Sequence, residues 1–232
     1  MRIVINHLTR MQPGYICVAG INLEENEHIR PVRGGARLTV NLLARNGGAF
    51  DIGRLIELGP TQVSGTAPET EDHIFDPGRL VSVRELSPGS FWKLLAAVSS
   101  NTLADIFGKH LKAQRNGCAV DEGEGHASLG CLRTATPPSI AINRWGKIRA
   151  QVNDGTFDVD LSVTDLRLYA KDQKTPRAKA IADVQRRIHQ GVGVILSVGL
   201  ARAFQVSGDT ARRHWLQVNN VHLEDDPIWS AD

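Results

Sequence analysis

A cluster of cationic and aromatic side chains at residues 144–149 is of the kind that binds nucleic acids. Trp145 lies in a short turn between two apolar segments, with Arg144 before it and Lys147 and Arg149 after it. An exposed ring can stack on a base while neighbouring cations contact phosphates. Because side chains alternate along a strand, we expect Lys147 and Arg149 to lie on one face. The alternative is a solvated strand face with the tryptophan packed over it.

Two further pairs place an arginine two residues before an aromatic residue. They are Arg167 and Tyr169 in "DLRLY" and Arg202 and Phe204 in "ARAF". Residues two apart in a strand share a face, so each pair predicts a guanidinium beside a ring on which a base can stack. The structural alternative is an arginine packed over a half-buried ring.

Arg30, in the segment "HIRPV", is another candidate for contact with a phosphate. A guanidinium presents a planar fork of donors that suits either a phosphate or a carboxylate. We slightly favour an ion pair with a carboxylate of the preceding turn. The carboxylates of that turn belong to Glu24, Glu25 and Glu27.

A second set of residues carries the groups used in acid–base or metal-dependent hydrolysis. His126 lies in the glycine-rich segment "DEGEGHASLG", and His222, Glu224 and Asp226 alternate near the end of the chain. A metal-dependent nuclease holds several carboxylates around one or two cations. No spacing in the sequence requires that arrangement, so this site is the alternative, and we expect no bound metal or other cofactor.

Both of these segments also have simpler structural interpretations. "DEGEGHASLG" lacks the spacing of a phosphate-binding loop and of a nucleophile elbow, so we expect a structured loop that buries Leu129. The last apolar segment predicts a terminal strand, with a bulge at the Asn219 and Asn220 pair. The acids then end the strand, and Ile228 and Trp229 fold back as an apolar plug.

The composition is that of a soluble globular protein with a mild excess of positive charge. The chain has 232 residues, of which 41% are hydrophobic and 22% charged, and its net charge is +2. At roughly 100–200 residues per domain, this length allows one large domain or two small ones. Three cysteines without a CxxC motif predict reduced thiols, and no stretch has the length of a membrane span or signal peptide. We therefore expect a cytoplasmic protein.

The elements that position the candidate residues are mostly strands, so we expect a mainly β fold with some α-helix (α+β). Residues 1–86 predict about five strands and residues 87–138 a helical and irregular connector. Residues 139–232 predict three meandering strands, a helix that starts at Thr175 and Pro176, two more strands and a tail. A helix between the third and fourth strands is the order of an OB-fold. We therefore expect two small OB-like β-barrels, one on each side of the connector.

The chain resembles a bacterial family described as the dual OB-containing domain. The segments that carry the resemblance span nearly the whole chain: "GYICVAGINLEENEHIRPV", "FDIGRLIELG", "GEGHASLG", "SVTDLRLY", "SVGLARAF" and "HWLQVNNVHLEDDPIW". The resemblance implies two OB-like barrels, a role in binding nucleic acid and occurrence in mobile-element or anti-phage settings. It implies no catalytic residues. "IGRLIELG" alone also suggests a PUA-like or other small RNA-binding barrel.

The leading interpretation is a two-barrel module that binds nucleic acid, preferentially single-stranded, without catalytic activity of its own. One alternative is a metal-dependent nuclease or hydrolase that uses His126, His222 and nearby carboxylates. The other is an adaptor whose barrels bind a protein partner.

Overall fold

The first third of the chain forms one β-sheet from its alternating and continuous apolar segments. Its strands are β1 (Arg2–Arg10), β2 (Tyr15–Asn22), β3 (His28–Val32), β4 (Leu38–Thr39), β5 (Arg54–Glu57), β6 (Gln62–Val63), β7 (Asp72–Ile74) and β8 (Val81–Glu85). They are ordered β6-β7-β3-β2-β1-β5-β8, and β4 pairs with β2. The structure is a computed structural model that describes residues 1–115, 117–206 and 210–230.

Helix α1 (Pro88–Ala97) covers the core of this first sheet. The Ser87 hydroxyl accepts a hydrogen bond from a backbone amide of the first turn, and Pro88 occupies the start of the helix. Phe91 and Leu95 are fully buried in the same apolar cluster as the strands. The helix is therefore part of the first core.

The rest of the chain forms a second, larger sheet with two helices. Its strands are β9 (Ser99–Ser100), β10 (Lys112–Gln114), β11 (Gly117–Asp121), β12 (Leu129–Leu132), β13 (Ser139–Ile142), β14 (Ile148–Asn153), β15 (Asp158–Val163), β16 (Val194–Leu200), β17 (Phe204–Gln205) and β18 (Arg212–Leu223). The helices are α2 (Leu103–Phe107) and α3 (Ala178–His189). The main path of strands is β13-β14-β15-β18-β16-β12-β9, with β10, β11 and β17 to one side.

Five strands of the second sheet have the order that the sequence predicts. β13, β14 and β15 meander, α3 follows, and β16 and β18 come last, with β18 parallel to β15 and antiparallel to β16. The mainly β class with α-helices is therefore confirmed. In both sheets the strand pairings among the described residues trace open paths.

Helix α3 begins two residues later than the sequence predicts. Thr175 does not cap it, because its hydroxyl and its backbone amide are both held by the Asp172 carboxylate. The helix packs on the second core through Ile181, Val184 and Ile188, the three residues that its apolar spacing indicates.

The segment that we expected to connect two domains contributes to both cores. Phe91 and Leu95 of α1 belong to the first core, whereas Leu103 and Phe107 of α2 belong to the second. Cys131 of β12 packs into the first core although its neighbour Leu132 packs into the second. The segment is therefore shared between the two cores and does not act as a linker outside them.

A buried polar seam joins the two sheets, which we define as Asn6 and His7 of β1 with Asn219, Asn220 and His222 of β18. The Asn220 side-chain oxygen accepts a hydrogen bond of 2.7 Å from a backbone amide of β1. Asn219 Nδ2 donates to His7 Nδ1 at 3.0 Å, and His222 Nε2 lies 3.1 Å from the backbone oxygen of Asn6. All five residues are at most 4% exposed.

A β-bulge allows successive asparagines of β18 to face β1. Ser197 of β16 pairs with Asn220, and the next residue, Val198, pairs with Val218, so Asn219 is the additional residue. Side chains that follow each other in a regular strand point to opposite faces, and a bulge breaks this alternation. The bulge predicted at the asparagine pair is confirmed.

The C-terminal tail folds back onto the second sheet, as its sequence predicts. Trp229 is 5% exposed, and Ile228 packs against the first core. The guanidinium carbon of Arg167 lies 4.0 Å from the centroid of the Trp229 ring. Arg167 also binds the fully buried Asp165 at 2.8 Å and the backbone oxygen of Val221 at 2.8 Å. Arg167 is therefore the residue on which the tail is anchored.

Removing the Arg167 guanidinium should strongly destabilise the fold. Arg167→Ala leaves the Asp165 carboxylate buried without its cation, so we expect a loss of about 3–5 kcal/mol in the free energy of unfolding. Urea unfolding followed by tryptophan fluorescence measures this loss. Arg144→Ala, at an exposed arginine that also lies over a tryptophan ring, is the control and should change stability by less than about 0.5 kcal/mol.

The polar seam should make stability depend on pH. Burial lowers the pKa of His222 to about 4, and the charge of Arg167 contributes to the shift. Burial also lowers the pKa of His7 well below its ordinary value, and the neighbouring His28 contributes. Above a pH of about 6.5 both rings are neutral in the folded and unfolded chain. Below a pH of about 6.5 these two histidines bind protons in the unfolded chain but not in the folded chain. Proton binding therefore favours the unfolded chain and lowers the free energy of unfolding.

Lowering the pH from about 7.5 to about 5 should therefore reduce the free energy of unfolding by roughly 2 kcal/mol through His222 alone. His7 adds to this loss. Urea unfolding at both pH values measures the loss, and an NMR titration of the folded protein assigns it. The ring signals of His222 should stay constant over this range, and a His222 transition near pH 6.5 would contradict the explanation.

Candidate functional site

The turn between β13 and β14 presents Trp145 to solvent. The Asn143 side-chain oxygen accepts hydrogen bonds of 3.0 Å from the backbone amides of Trp145 and Lys147. Gly146 follows the tryptophan with a positive φ of 71°, which a glycine adopts without strain. Trp145 is 67% exposed, and the guanidinium carbon of Arg144 lies 4.1 Å from its ring centroid. We name residues 143–147 the Trp145 turn.

Arg144 and Lys147 are the exposed cations of this turn, whereas Arg149 is held by the neighbouring strand. Arg149 Nε donates to both oxygens of Asp160 at 3.1 Å, and its other nitrogens contact Ser162 and a backbone oxygen. The solvent-facing side of β14 and β15 thus carries carboxylates beside its arginine. Lys147 and Arg149 therefore do not form the joint cationic face that we expected. Lys147 is exposed, whereas the Arg149 guanidinium is paired with Asp160.

Phe204 is the second exposed ring that the sequence predicts. It lies in the connection between β16 and β18, is 47% exposed, and its ring centroid is 6.4 Å from that of Trp215. Among the described residues, Trp145 and Phe204 are the only exposed phenylalanine, tryptophan or tyrosine side chains. Both were candidates for base stacking.

Arg167 and Tyr169 do not form an exposed platform. Tyr169 is 4% exposed and donates a 2.8 Å hydrogen bond from its hydroxyl to a backbone oxygen of β15. Arg167 anchors the tail, as described above. The residues form a 3-10 turn after β15 rather than a strand, so the alternation that placed them on one exposed face does not apply.

Arg30 is buried and forms an ion pair, although not with the carboxylates that we expected. Strand β3 pairs in parallel with β7, which places Arg30 opposite Asp72. Arg30 Nε donates to Asp72 Oδ1, and Arg30 is 4% exposed. The predicted pairing with Glu24, Glu25 or Glu27 is wrong, because the sheet brings a more distant acid beside the strand.

Asp72 also binds Arg202 and so brings two of the candidate arginines together. Arg202 Nη2 donates to Asp72 Oδ2 at 2.6 Å, and Arg202 Nη1 lies 2.9 Å from Glu69 Oε2. Arg202 reaches these acids from the second sheet, immediately after β16. Arg202 therefore extends toward the first sheet. The Phe204 ring is paired with the ring of Trp215.

Arg30 and Arg202 lie in an open cleft of about 780 Å³ between the two sheets, which we name the arginine cleft. Strands β1, β2 and β3 line one side, and the end of β16 and the middle of β18 line the other. Asp72 is the only carboxylate in its lining among the described residues. The lining contains five arginines, namely Arg10, Arg30, Arg33, Arg37 and Arg202.

Sequence reasoning missed Arg10, Arg33 and Arg37. The signal for two of them is the segment "VRGGAR", in which two arginines flank a pair of glycines. Gly35 has a φ of 89°, and the amide of Ala36 donates to the backbone oxygen of Arg33, so the segment forms a tight turn at the edge of the cleft. No local pattern in the sequence marks Arg10 or relates it to this turn.

The residues proposed for hydrolysis do not come together. His222 is fully buried in the polar seam, whereas His126 and Glu224 are exposed. Within residues 1–115, 117–206 and 210–230, no three histidine, cysteine or acidic side chains are grouped as a metal site. The alternative site at His126, His222, Glu224 and Asp226 is therefore not formed in this structure. The His222 side chain points from β18 toward β1, whereas Glu224 and Asp226 follow the C-terminal end of that strand.

The glycine-rich segment around His126 is a structured loop. Glu71 of the first sheet accepts hydrogen bonds from the backbone amides of Ser128 and Leu129 at 2.7 and 3.0 Å and from the Ser128 hydroxyl at 2.7 Å. Leu129 is 5% exposed. The predicted burial of Leu129 is confirmed.

Ser197 and His222 form a serine–histidine contact of the kind found in hydrolases, but the pair is buried away from solvent. Ser197 Oγ lies 3.0 Å from His222 Nε2. Both residues are fully buried, and the other ring nitrogen of His222 faces the backbone oxygen of Pro227. A nucleophile must be reachable by its substrate, so we assign this pair to the interior of the fold.

Comparison with known families assigns nearly the whole chain to one of them. No helix in the described part of the chain is both long and apolar enough to cross a membrane. No curated protein matches the chain. The family model described as "Dual OB-containing domain" matches residues 1–221 of the 232. The chain therefore belongs to the family of dual OB-containing domains.

Proposed function

We propose that the chain binds nucleic acid, with a preference for single strands, through the Trp145 turn and the connection between β16 and β18. The observation that carries this proposal is the position of the two exposed rings, Trp145 and Phe204. Trp145 lies in the turn between β13 and β14, and Phe204 lies in the short strand β17, within the connection between β16 and β18.

These two loops correspond to the binding loops of an OB-fold. Counting β13, β14, β15, β16 and β18 as strands one to five, the Trp145 turn joins strands one and two, and Phe204 lies between strands four and five. OB-folds bind oligonucleotides with these loops and with the face of strands two and three. We further propose that each sheet is a partly open OB-like barrel. The first domain then extends beyond residues 1–86 to include α1, and the second extends before residues 139–232 to include α2 and β9 to β12.

The charges favour the loops over the strand face as the path of a nucleic acid. Arg144 and Lys147 are exposed beside Trp145 and can contact phosphates. The strand face instead carries the exposed acids Asp158 and Asp160, which repel phosphates. A base must also be unpaired to place its face on a protein ring, which favours single strands.

Membership of the dual OB-containing family supports the binding of nucleic acid but does not indicate a biological pathway. Occurrence in mobile-element or anti-phage settings belongs to this proposal, as does location in the cytoplasm. The three cysteines are free thiols, which is compatible with a reducing compartment.

Removing either ring should weaken binding to a single-stranded oligonucleotide. Stacking contributes about 1–3 kcal/mol per base, so Trp145→Ala and Phe204→Ala should each lower the affinity by roughly 5- to 150-fold. Fluorescence anisotropy with labelled single-stranded DNA and RNA measures the effect, with duplexes in parallel. Trp145→Phe retains a ring and should bind more tightly than Trp145→Ala. Equal affinities for these two variants would exclude stacking at this turn.

Removing the exposed cations should change the salt dependence. Each phosphate contact contributes about −0.7 to the slope of log affinity against log salt for a single strand. Combining Arg144→Ala with Lys147→Ala should therefore make that slope less steep by roughly 1.4. Lys93→Ala, at an exposed lysine on α1, is the matched control. If the double variant keeps the wild-type slope, phosphates do not contact this turn.

A further inference from the structure

The arginine cleft contains buried donors that have no partner within the described residues. Arg30 is 4% exposed, and its Nη2 makes no hydrogen bond. His7 is 1% exposed, and its Nε2 makes none either. Both residues line the cleft. Buried polar groups without a partner are rare in folded proteins, so two such groups among the residues that line one cleft mark it as a candidate binding site.

The hydrogen bonding of His7 shows which of its nitrogens is a donor. Asn219 Nδ2 donates to His7 Nδ1 at 3.0 Å, so Nδ1 is the acceptor. A neutral ring then carries its proton on Nε2, and burial favours the neutral ring by lowering the pKa of His7. The unpartnered Nε2 is therefore a donor, like Arg30 Nη2.

The rim of the cleft is cationic. Arg33 and Arg37 are exposed, and neither forms an ion pair with a described residue. The Arg37 guanidinium carbon lies 5.5 Å from the centroid of the Tyr15 ring, which holds it at the rim. Arg202 closes the opposite side and is 53% exposed. The single carboxylate of the lining, Asp72, is already shared by Arg30 and Arg202.

We propose that the arginine cleft binds a nucleotide through its phosphates. Guanidinium groups bind phosphates through paired hydrogen bonds, and the arginines here exceed the carboxylates that neutralise them. A volume of about 780 Å³ is typical of a small-molecule pocket. Ile16, Leu38, Leu129 and Leu200 give the lining an apolar part that suits the base and sugar.

This site uses none of the residues of the Trp145 turn, although Arg202 belongs to the same connection between β16 and β18 as Phe204. The nucleotide is either a free molecule or the 5′-phosphorylated end of a strand. Both present the same phosphate chemistry to the cleft.

The proposal is tested by calorimetric titration of the full chain with ATP, ADP, AMP and adenosine. No divalent metal is added to these titrations. We expect binding that depends on the phosphates, so adenosine should not bind. Combining Arg33→Ala with Arg37→Ala should weaken binding at least about tenfold, because each removes a charge-assisted contact. Both positions are exposed, so the variant should fold. Arg84→Ala, at an exposed arginine on β8, should retain wild-type affinity.

Titration with a short oligonucleotide that carries either a 5′-phosphate or a 5′-hydroxyl distinguishes the two sources. Preference for the 5′-phosphate, lost in the Arg33 and Arg37 variant, assigns the cleft to a strand end. Binding of free ATP or ADP assigns it to a free nucleotide. Trp145→Ala should leave the affinity for free ATP or ADP unchanged. It should weaken binding to both strands but leave the ratio between the 5′-phosphate and the 5′-hydroxyl affinities unchanged. The proposal is overturned if no phosphorylated ligand binds at about millimolar concentration, or if the double arginine variant binds as tightly as the wild type.

Discussion

The structure depends on the polar seam between β1 and β18. A buried amide or imidazole group that lacks a hydrogen-bonding partner destabilises the fold. Asn220 meets a backbone amide of β1, and Asn219 meets His7. Because these partners occur in only one alignment, sliding one sheet past the other by a residue would leave several buried polar groups unpaired. The apolar contacts between the sheets have no comparable directionality, so the seam is what fixes the alignment.

The arginine cleft is a consequence of that alignment. His7 and Asn219 belong both to the seam and to the lining of the cleft. Arg202 crosses from the second sheet to Asp72 of the first, where Arg30 already lies. One wall therefore comes from each half of the chain, and neither half contains the site by itself. This is a physical reason for two small β-units to occur as one protein rather than as a tandem pair with a flexible linker.

The parts of the fold that depend on neighbouring residues could be predicted from the sequence. Alternation and apolar runs indicated five strands of the second sheet (β13, β14, β15, β16 and β18), the helix between the third and fourth of them, and the bulge at Asn219. Strands β9 to β12 lie in the segment that was expected to be helical and irregular. The exposure of Trp145 followed from its place in a turn. Partners that are distant in the chain could not be predicted. Arg30 pairs with Asp72 because β3 and β7 are parallel neighbours, and no local pattern in the sequence encodes that pairing.

Arginines illustrate the same limit most clearly, because their role depends on which carboxylate reaches them. The pattern treated Arg149, Arg167 and Arg202 as equivalent cations, but the structure pairs each of them with a carboxylate. Arg33 and Arg37, which the pattern passed over, have no such carboxylate among the described residues. Unpaired cations beside buried, unsatisfied donors do not stabilise an empty cleft, and proteins break the rules of stable packing chiefly at functional sites. The residues that indicate a ligand are therefore the unpaired arginines and the unsatisfied buried donors. The most basic segments of the sequence do not indicate one.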